Sequence, residues 1–182
     1  MARDLNELAT CTRCALSRTR RRVVIGSGTL EPALMVIGEA PGRSEDEGGE
    51  PFTGRSGQLL FRLIEEETGL DRSECFVTNV VKCRPPANRT PTRIELDTCR
   101  PWLAEQLARI KPTVVLAVGN TAARSVLGCT NGMGDVHGRV VELASGVGVA
   151  TYHPAAALRG GPSVVEVMRA DLRIVKGLVR QP

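Results

Sequence analysis

The sequence predicts an α/β protein, a three-layer α/β/α sandwich with a central, mostly parallel four-stranded sheet. Three observations predict it. Four short runs rich in Val, Ile and Leu recur at residues 34–37, 76–81, 113–118 and 147–152. Each run is continuously apolar rather than alternating, the pattern of a strand buried on both faces. Between the runs lie stretches with apolar residues at helical spacing, and strands separated by helices pair in parallel.

Taken in order, the first run leaves into GEAPGRSEDEGGEPFTGRSG, a glycine-rich and acidic turn that carries Phe52, one of only three phenylalanines in the chain. A helix is expected over residues 58–68, QLLFRLIEEET, stopped by Gly69. The second run ends in TNVVKCRPPANRTP, and an amphipathic helix over 92–110 follows, closed by Lys111-Pro112. The third leads through GNTAAR into a short helix over 121–127 that ends at Gly128. GDVHGRVVEL reads as a surface hairpin, which gives His137 a structural role. The fourth run leaves through TYHPAAALRG into a C-terminal helix over 163–179. Ligands of such sheets bind beyond the carboxyl ends of the strands, so the four segments that follow the runs are where chemistry is expected.

A length of 182 residues suits one domain, 1–182, with a core of its own. The net charge is only +4, but arginine outnumbers lysine 21 to 3. Arginine forks onto phosphate better than lysine does. A coding bias toward arginine explains the same excess, so charge permits a nucleic-acid partner and implies no more. No apolar run approaches the ~20 residues of a membrane span. The opening MARDLNELATCTRC has acids where an export signal would carry a basic patch and an apolar run. A cytoplasmic, nucleoid-associated monomer with no membrane contact is expected.

Six cysteines without an export signal argue against a disulfide framework. Cys11 and Cys14 form a C-x2-C pair, and Cys83 and Cys99 follow downstream with 15 residues between them. A tight turn points both sulfurs of such a pair the same way, and two more thiolates complete four ligands. Zinc and a 4Fe–4S cluster both fit that count. Cys75 and Cys129 read as small buried hydrophobes.

GEAPG, the acids ED, PFTGRSGQLL, TNVVKCRPPANRTP, CRPWL and HPAAALR stand in one order, and together they closely resemble the family 4, iron–sulfur uracil-DNA glycosylases. The resemblance runs from CTRC to the C-terminal helix. It implies a uracil-DNA glycosylase-like fold whose N-terminal segment, residues 1–30, is tied to the core by a 4Fe–4S cluster on Cys11, Cys14, Cys83 and Cys99. It implies a base-excision-repair enzyme that flips uracil out of DNA and hydrolyses the N-glycosidic bond, leaving an abasic site.

The residues suit that chemistry. A flipped pyrimidine needs a flat apolar partner, and Phe52 matches the family's stacking Phe. The Asn79 side-chain amide carries a donor and an acceptor for the O4 and N3–H edge of uracil, which cytosine presents reversed. His153 matches the catalytic His and can donate to O2 as the base departs as an anion. Glu39, Ala40 and Pro41 match the uracil-contacting turn, with Glu39 as a wall beside C5; many members carry Gly where Ala40 stands. Glu39, Glu45 and Asp46 all remain candidates for activating water, with Glu39 and Glu45 expected in an electrostatic role. Leu158 and Arg159 resemble the family's wedge into DNA, and residues 119–124 offer a helix N-terminus to a phosphate.

Three rival readings are discriminated by residues or by a simple observation. The branch that becomes covalently trapped on DNA carries a His in an Arg-rich insertion between the third and fourth ligands, and residues 84–98 contain neither. A non-catalytic binder of uracil-containing or damaged DNA would have no use for Asn79 and His153 together. A zinc-bound nucleotide-binding protein of Rossmann type would want G-x-G-x-x-G in its first turn, which is absent here.

Overall fold

The computed structural model describes residues 5–179, so residues 1–4 and 180–182 of the expected domain and N-terminal segment lie outside the described residues. The strands among them are β1 (Ser27–Gly28), β2 (Leu34–Gly38), β3 (Cys75–Asn79), β4 (Val114–Val118), β5 (Val140–Leu143) and β6 (Gly146–Thr151). They form one sheet in the order β1-β3-β2-β4-β6-β5. The four expected strands are its parallel centre, β3-β2-β4-β6. Along β2, β3 and β4 every residue is buried, which is why these segments read as unbroken apolar runs.

The sheet has six strands rather than four, because β1 and β5 add antiparallel edges. A two-residue strand such as β1 carries no periodic signal. β5 alternates exposed and half-buried residues, as an edge strand does, and it forms the first arm of a hairpin with β6. His137 stands before that hairpin rather than in it. Its Nδ1 lies 2.9 Å from Oδ1 of the buried Asp171, whose other oxygen accepts from the Thr151 hydroxyl at 2.8 Å.

The helices are α1 (Arg43–Gly48), α2 (Arg55–Thr68), α3 (Arg93–Ile110), α4 (Asn120–Leu127), α5 (Met133–Val136), α6 (Pro154–Gly160) and α7 (Pro162–Val179). The expected stops hold: α2 and α4 end at Gly69 and Gly128, both left-handed, and α3 ends at a left-handed Lys111. Thr92 and Glu95 close a capping box that starts α3. Alternate residues of each strand face opposite layers. Leu34, Val36, Leu116 and Val118 pack with Leu60, Leu63, Met168 and Leu172 of α2 and α7. Met35, Ile37, Val115 and Ala117 pack with Leu103, Ala122 and Val136 of α3, α4 and α5.

Candidate active site and cysteine cluster

Within the sheet β2 lies between β3 and β4, so the chain leaves it first to one side and later to the other. The gap above its carboxyl end is the switch point of an open α/β sheet. A cleft of about 710 Å³ opens there, and Glu39, Ala40, Pro41, Phe52, Asn79 and His153 all line it. Glu45 and Arg159 line it too, as do Thr121 and Arg124 from α4. Leu158 lies on α6, half exposed, so the stretch read as a wedge loop is helical in this chain.

Phe52 is 7% exposed and belongs to the core cluster, yet it also lines the cleft. Its ring meets Phe61 edge-to-face at 6.5 Å and lies 6.3 Å from the His153 imidazole. Gly38, the last residue of β2, leaves the room for this. A Cβ there would stand 2.5 Å from Phe52 Cζ and 2.4 Å from Asn79 Oδ1. Gly38→Ala should therefore displace both side chains at once and lower the turnover of the site by about tenfold or more, with a stability loss of about 1–3 kcal/mol from overpacking. Steady-state kinetics and thermal melting measure the two effects, and unchanged kinetics would show that the contact does not matter.

Asn79 ends β3 and is 2% exposed. Its carbonyl accepts from Lys82 Nζ at 2.6 Å, but among the described residues its side-chain amide has no hydrogen-bond partner. An amide that lines the cleft without a protein partner is free to pair its donor and acceptor with the edge of a ligand placed there.

His153 caps α6, its Nδ1 accepting the Ala155 N–H at 3.2 Å, and Pro154 sets the first helical residue. With Nδ1 an acceptor, the neutral ring carries its hydrogen on Nε2. Burial holds the imidazole pKa below its ordinary value, with Arg159 adding to the effect and Glu45 opposing it.

The three acids take separate positions. Glu39 accepts a hydrogen bond from the Thr121 hydroxyl through Oε2. Glu45 Oε1 accepts the Gly54 N–H at 3.1 Å, while among the described residues Oε2 has no hydrogen-bond partner. Asp46 does not line the cleft. It is 2% exposed and accepts the N–H of Arg21 at 2.9 Å and of Arg22 at 3.4 Å, so it ties the N-terminal segment to α1. Sequence reading missed Thr121 as the partner of Glu39, since nothing local relates two residues 82 apart.

Cys11, Cys14, Cys83 and Cys99 line one small cavity away from the cleft, together with Arg20, Lys82 and Trp102. Among the described residues no group of three or more His, Cys, Asp or Glu side chains is gathered as ligands of one metal ion. The donor set itself is four thiols from three segments. Burial pushes Cys83 up to about 11 and Cys99 upward, so bound positive charge is what would stabilise their thiolates. Arg20 donates to Cys83 Sγ at 3.4 Å. Lys82, also unforeseen, is fully buried and donates to Thr78 Oγ1, the Asn79 carbonyl and Gln106 Oε1 at 2.7, 2.6 and 2.6 Å. Gln106 and Thr78 in turn donate to the Ile25 carbonyl at 2.8 and 2.9 Å. This network straps the N-terminal segment across α3 and β3, joining the cavity of the cysteines to the strand end that carries Asn79. Cys75 is buried in the sheet as expected, whereas Cys129 is only half-buried.

Fold and cleft together define a doubly wound α/β protein whose site sits at the switch point and is walled by an aromatic ring, an open amide and a neutral imidazole. A family model described as the uracil DNA glycosylase superfamily matches residues 25–173. The chain is 43% identical to a type-4 uracil-DNA glycosylase of Pyrobaculum aerophilum, over 95% of this chain and 92% of that protein. It is 37% identical to a type-4 uracil-DNA glycosylase of Thermotoga maritima, over 94% of this chain and 90% of that protein. A type-5 uracil-DNA glycosylase of Pyrobaculum aerophilum is 33% identical over 93% of this chain and 89% of its own length. The chain therefore belongs to the uracil-DNA glycosylase superfamily, in its type-4 family.

Proposed function

We propose that this chain is a DNA-repair hydrolase that flips uracil out of single- or double-stranded DNA and cleaves its N-glycosidic bond, releasing uracil and leaving an abasic site. The observation that carries this reading is the buried, unpartnered Asn79 amide in one cleft with the Phe52 ring and the Nε2–H of His153.

The flipped base stacks on Phe52, and Asn79 donates to its O4 and accepts from its N3–H. The turn at Glu39, Ala40 and Pro41, braced by Thr121, closes the C5 side, where the methyl group of thymine would have to fit. As the C1′–N1 bond breaks, its electron pair goes to the base, and His153 Nε2–H donates to O2 of the leaving anion. A neutral donor suits that step, because it stabilises the developing charge without a proton having to leave first. Water adds to C1′ of the sugar cation and loses a proton, for which Oε2 of Glu45 is the uncommitted carboxylate oxygen. Arg159 at the rim and the N-terminus of α4 with Arg124 offer positive charge to the strand's phosphates, and the exposed Leu158 supplies an apolar surface to the vacated stack.

Cys11, Cys14, Cys83 and Cys99 would hold a 4Fe–4S cluster, which supplies a covalent clip between the N-terminal segment and the core. Cys83→Ala should cost brown colour, with its absorbance near ~400 nm, and thermal stability more than it costs chemistry per folded molecule. A stable, colourless and fully active variant would refute the clip. The proposal extends to a single domain over residues 1–182 that works as a monomer in the cytoplasm. No described helix is long and apolar enough to cross a membrane.

Incubation with an oligonucleotide bearing one uracil, followed by alkali, tests the proposal. Strand cleavage at the uracil is expected. An intact but gel-shifted strand would identify a binder instead.

A further inference from the structure

We propose that Arg72 is a positioning residue for the stacking face of Phe52. The inference rests on the reading of Phe52 as the ring on which the base lies, and it adds what keeps that ring in place.

Phe52 sits at φ 55, in the left-handed region that a bulky residue avoids. Such a backbone persists only where its surroundings over-determine it. One constraint is the first turn of α2, whose Gly57 lies so close that a Cβ there would stand 1.9 Å from the Phe52 carbonyl oxygen. The other is Arg72. Its Nη2 donates to the carbonyl of Pro51, the residue that leads into the strained position, at 2.5 Å. The same guanidinium lies 4.4 Å from the centre of the Phe61 ring. Phe61 then meets Phe52 edge-to-face at 6.5 Å. Guanidinium, Phe61, Phe52 and cleft thus form one column, held at its backbone by a hydrogen bond and along its side chains by ring contacts.

Arg72 is itself fixed. It opens a 3-10 turn, Arg72–Glu74, whose capping box has the Asp71 side chain accepting the Ser73 N–H at 2.6 Å and Glu74 accepting the Asp71 N–H at 2.9 Å. The turn runs directly into β3, which ends at Asn79. The residue that steadies the stacking ring therefore stands on the turn that leads straight into the strand ending at the residue that reads the base edge. An arginine suits this place where a lysine would not, since only a planar guanidinium can lie on a ring while donating in its own plane to a carbonyl.

The test is a double-mutant cycle between Arg72→Met and Phe52→Ala. It is read as affinity for an oligonucleotide carrying one 2′-fluorinated deoxyuridine, whose glycosidic bond resists cleavage, with thermal melting of each variant alongside. Arg72→Met is expected to weaken binding roughly fivefold, about the worth of one exposed cation–π contact, and to have no further effect once Phe52 is alanine. Arg72→Lys, which keeps the charge and a donor but not the plane, should fall between wild type and Arg72→Met, and it goes through the same cycle if Arg72→Met does not fold. Unchanged affinity in a folded Arg72 variant, or the same loss with and without Phe52, would overturn the inference while leaving the stacking role of Phe52 intact. Full affinity in Phe52→Ala would overturn the stacking role itself, and the inference with it.

Discussion

Replacing His153 by alanine should slow uracil release by ~10²–10³-fold, the usual cost of removing one donor aimed at developing negative charge. Affinity for uracil-containing DNA should change little, because Phe52 and Asn79, proposed to hold the base, are untouched. The loss belongs in kcat, since the interaction strengthens only as the anion forms. Single-turnover kinetics separate the two, and near-normal turnover would defeat the leaving-group assignment. The pH dependence follows from the same geometry. Burial, with Arg159 adding, keeps the imidazole pKa below the ordinary 6.5, and the neutral ring is the form with Nδ1 on Ala155 and hydrogen on Nε2. The rate should therefore stay level as pH falls from 8 through 6.5 and decline only at lower pH. A decline centred at or above 6.5 would contradict a neutral, buried His153. Stability changes in the same direction. The unfolded chain takes up this proton at a higher pH than the folded one, so the contribution is full above pH 6.5 and lost as pH falls through the lowered folded value.

Asn79→Asp should weaken the choice of uracil over cytosine. A site built to pair a particular edge can reject the wrong one by ~10⁴-fold or more, because the buried groups are otherwise left unmatched. The asparagine amide has a fixed donor and a fixed acceptor. The carboxylate of aspartate accepts only, which opposes O4 of uracil and suits the exocyclic amine of cytosine; protonated, it also offers a donor to N3 of cytosine. Uracil excision should fall by roughly two orders of magnitude, and release of cytosine should become measurable against matched oligonucleotides. Unchanged discrimination would refute edge reading by Asn79. The position is otherwise well suited to the experiment. The Asn79 backbone is held by Lys82 and the strand ladder, neither of which involves the side chain, so the fold should survive the change.

The parallel centre of the sheet was legible because strands covered on both faces must be apolar throughout, and β2, β3 and β4 are. Helix ends were legible where glycine or Lys-Pro stops a helix, and α3, α4 and α7 start within one residue of the expected 92, 121 and 163, but the start of α2 was not legible. Helix α2 begins at Arg55 in a polar, glycine-bearing turn with no apolar period. The short helices α1, α5 and α6 also lie in stretches read as turns. Edge strand β1 was missed, since two residues give no periodic signal, and β5 was read only as part of a surface hairpin and not as an edge of the main sheet.

At the site, the residue types and their order were set by the sequence alone: an aromatic in a glycine-rich turn, an asparagine at a strand end, a His-Pro after the last strand, and a C-x2-C pair with two single cysteines far downstream. A local pattern carries these because each needs only its own turn or strand end. What the tertiary structure decided is which atoms meet. It committed Glu39 to Thr121 and Asp46 to the N-terminal backbone, leaving Glu45 with a free oxygen. It put Lys82, fully buried and with its pKa pushed down to about 7 by that burial, between the cavity of the cysteines and Asn79, and it set Arg72 behind the ring of Phe52 through Phe61. The physical reason is range. Hydrophobic periodicity and turn chemistry act over a few residues and can be read along the chain, whereas a hydrogen bond or ring contact is satisfied by whatever the folded layers bring within a few ångströms.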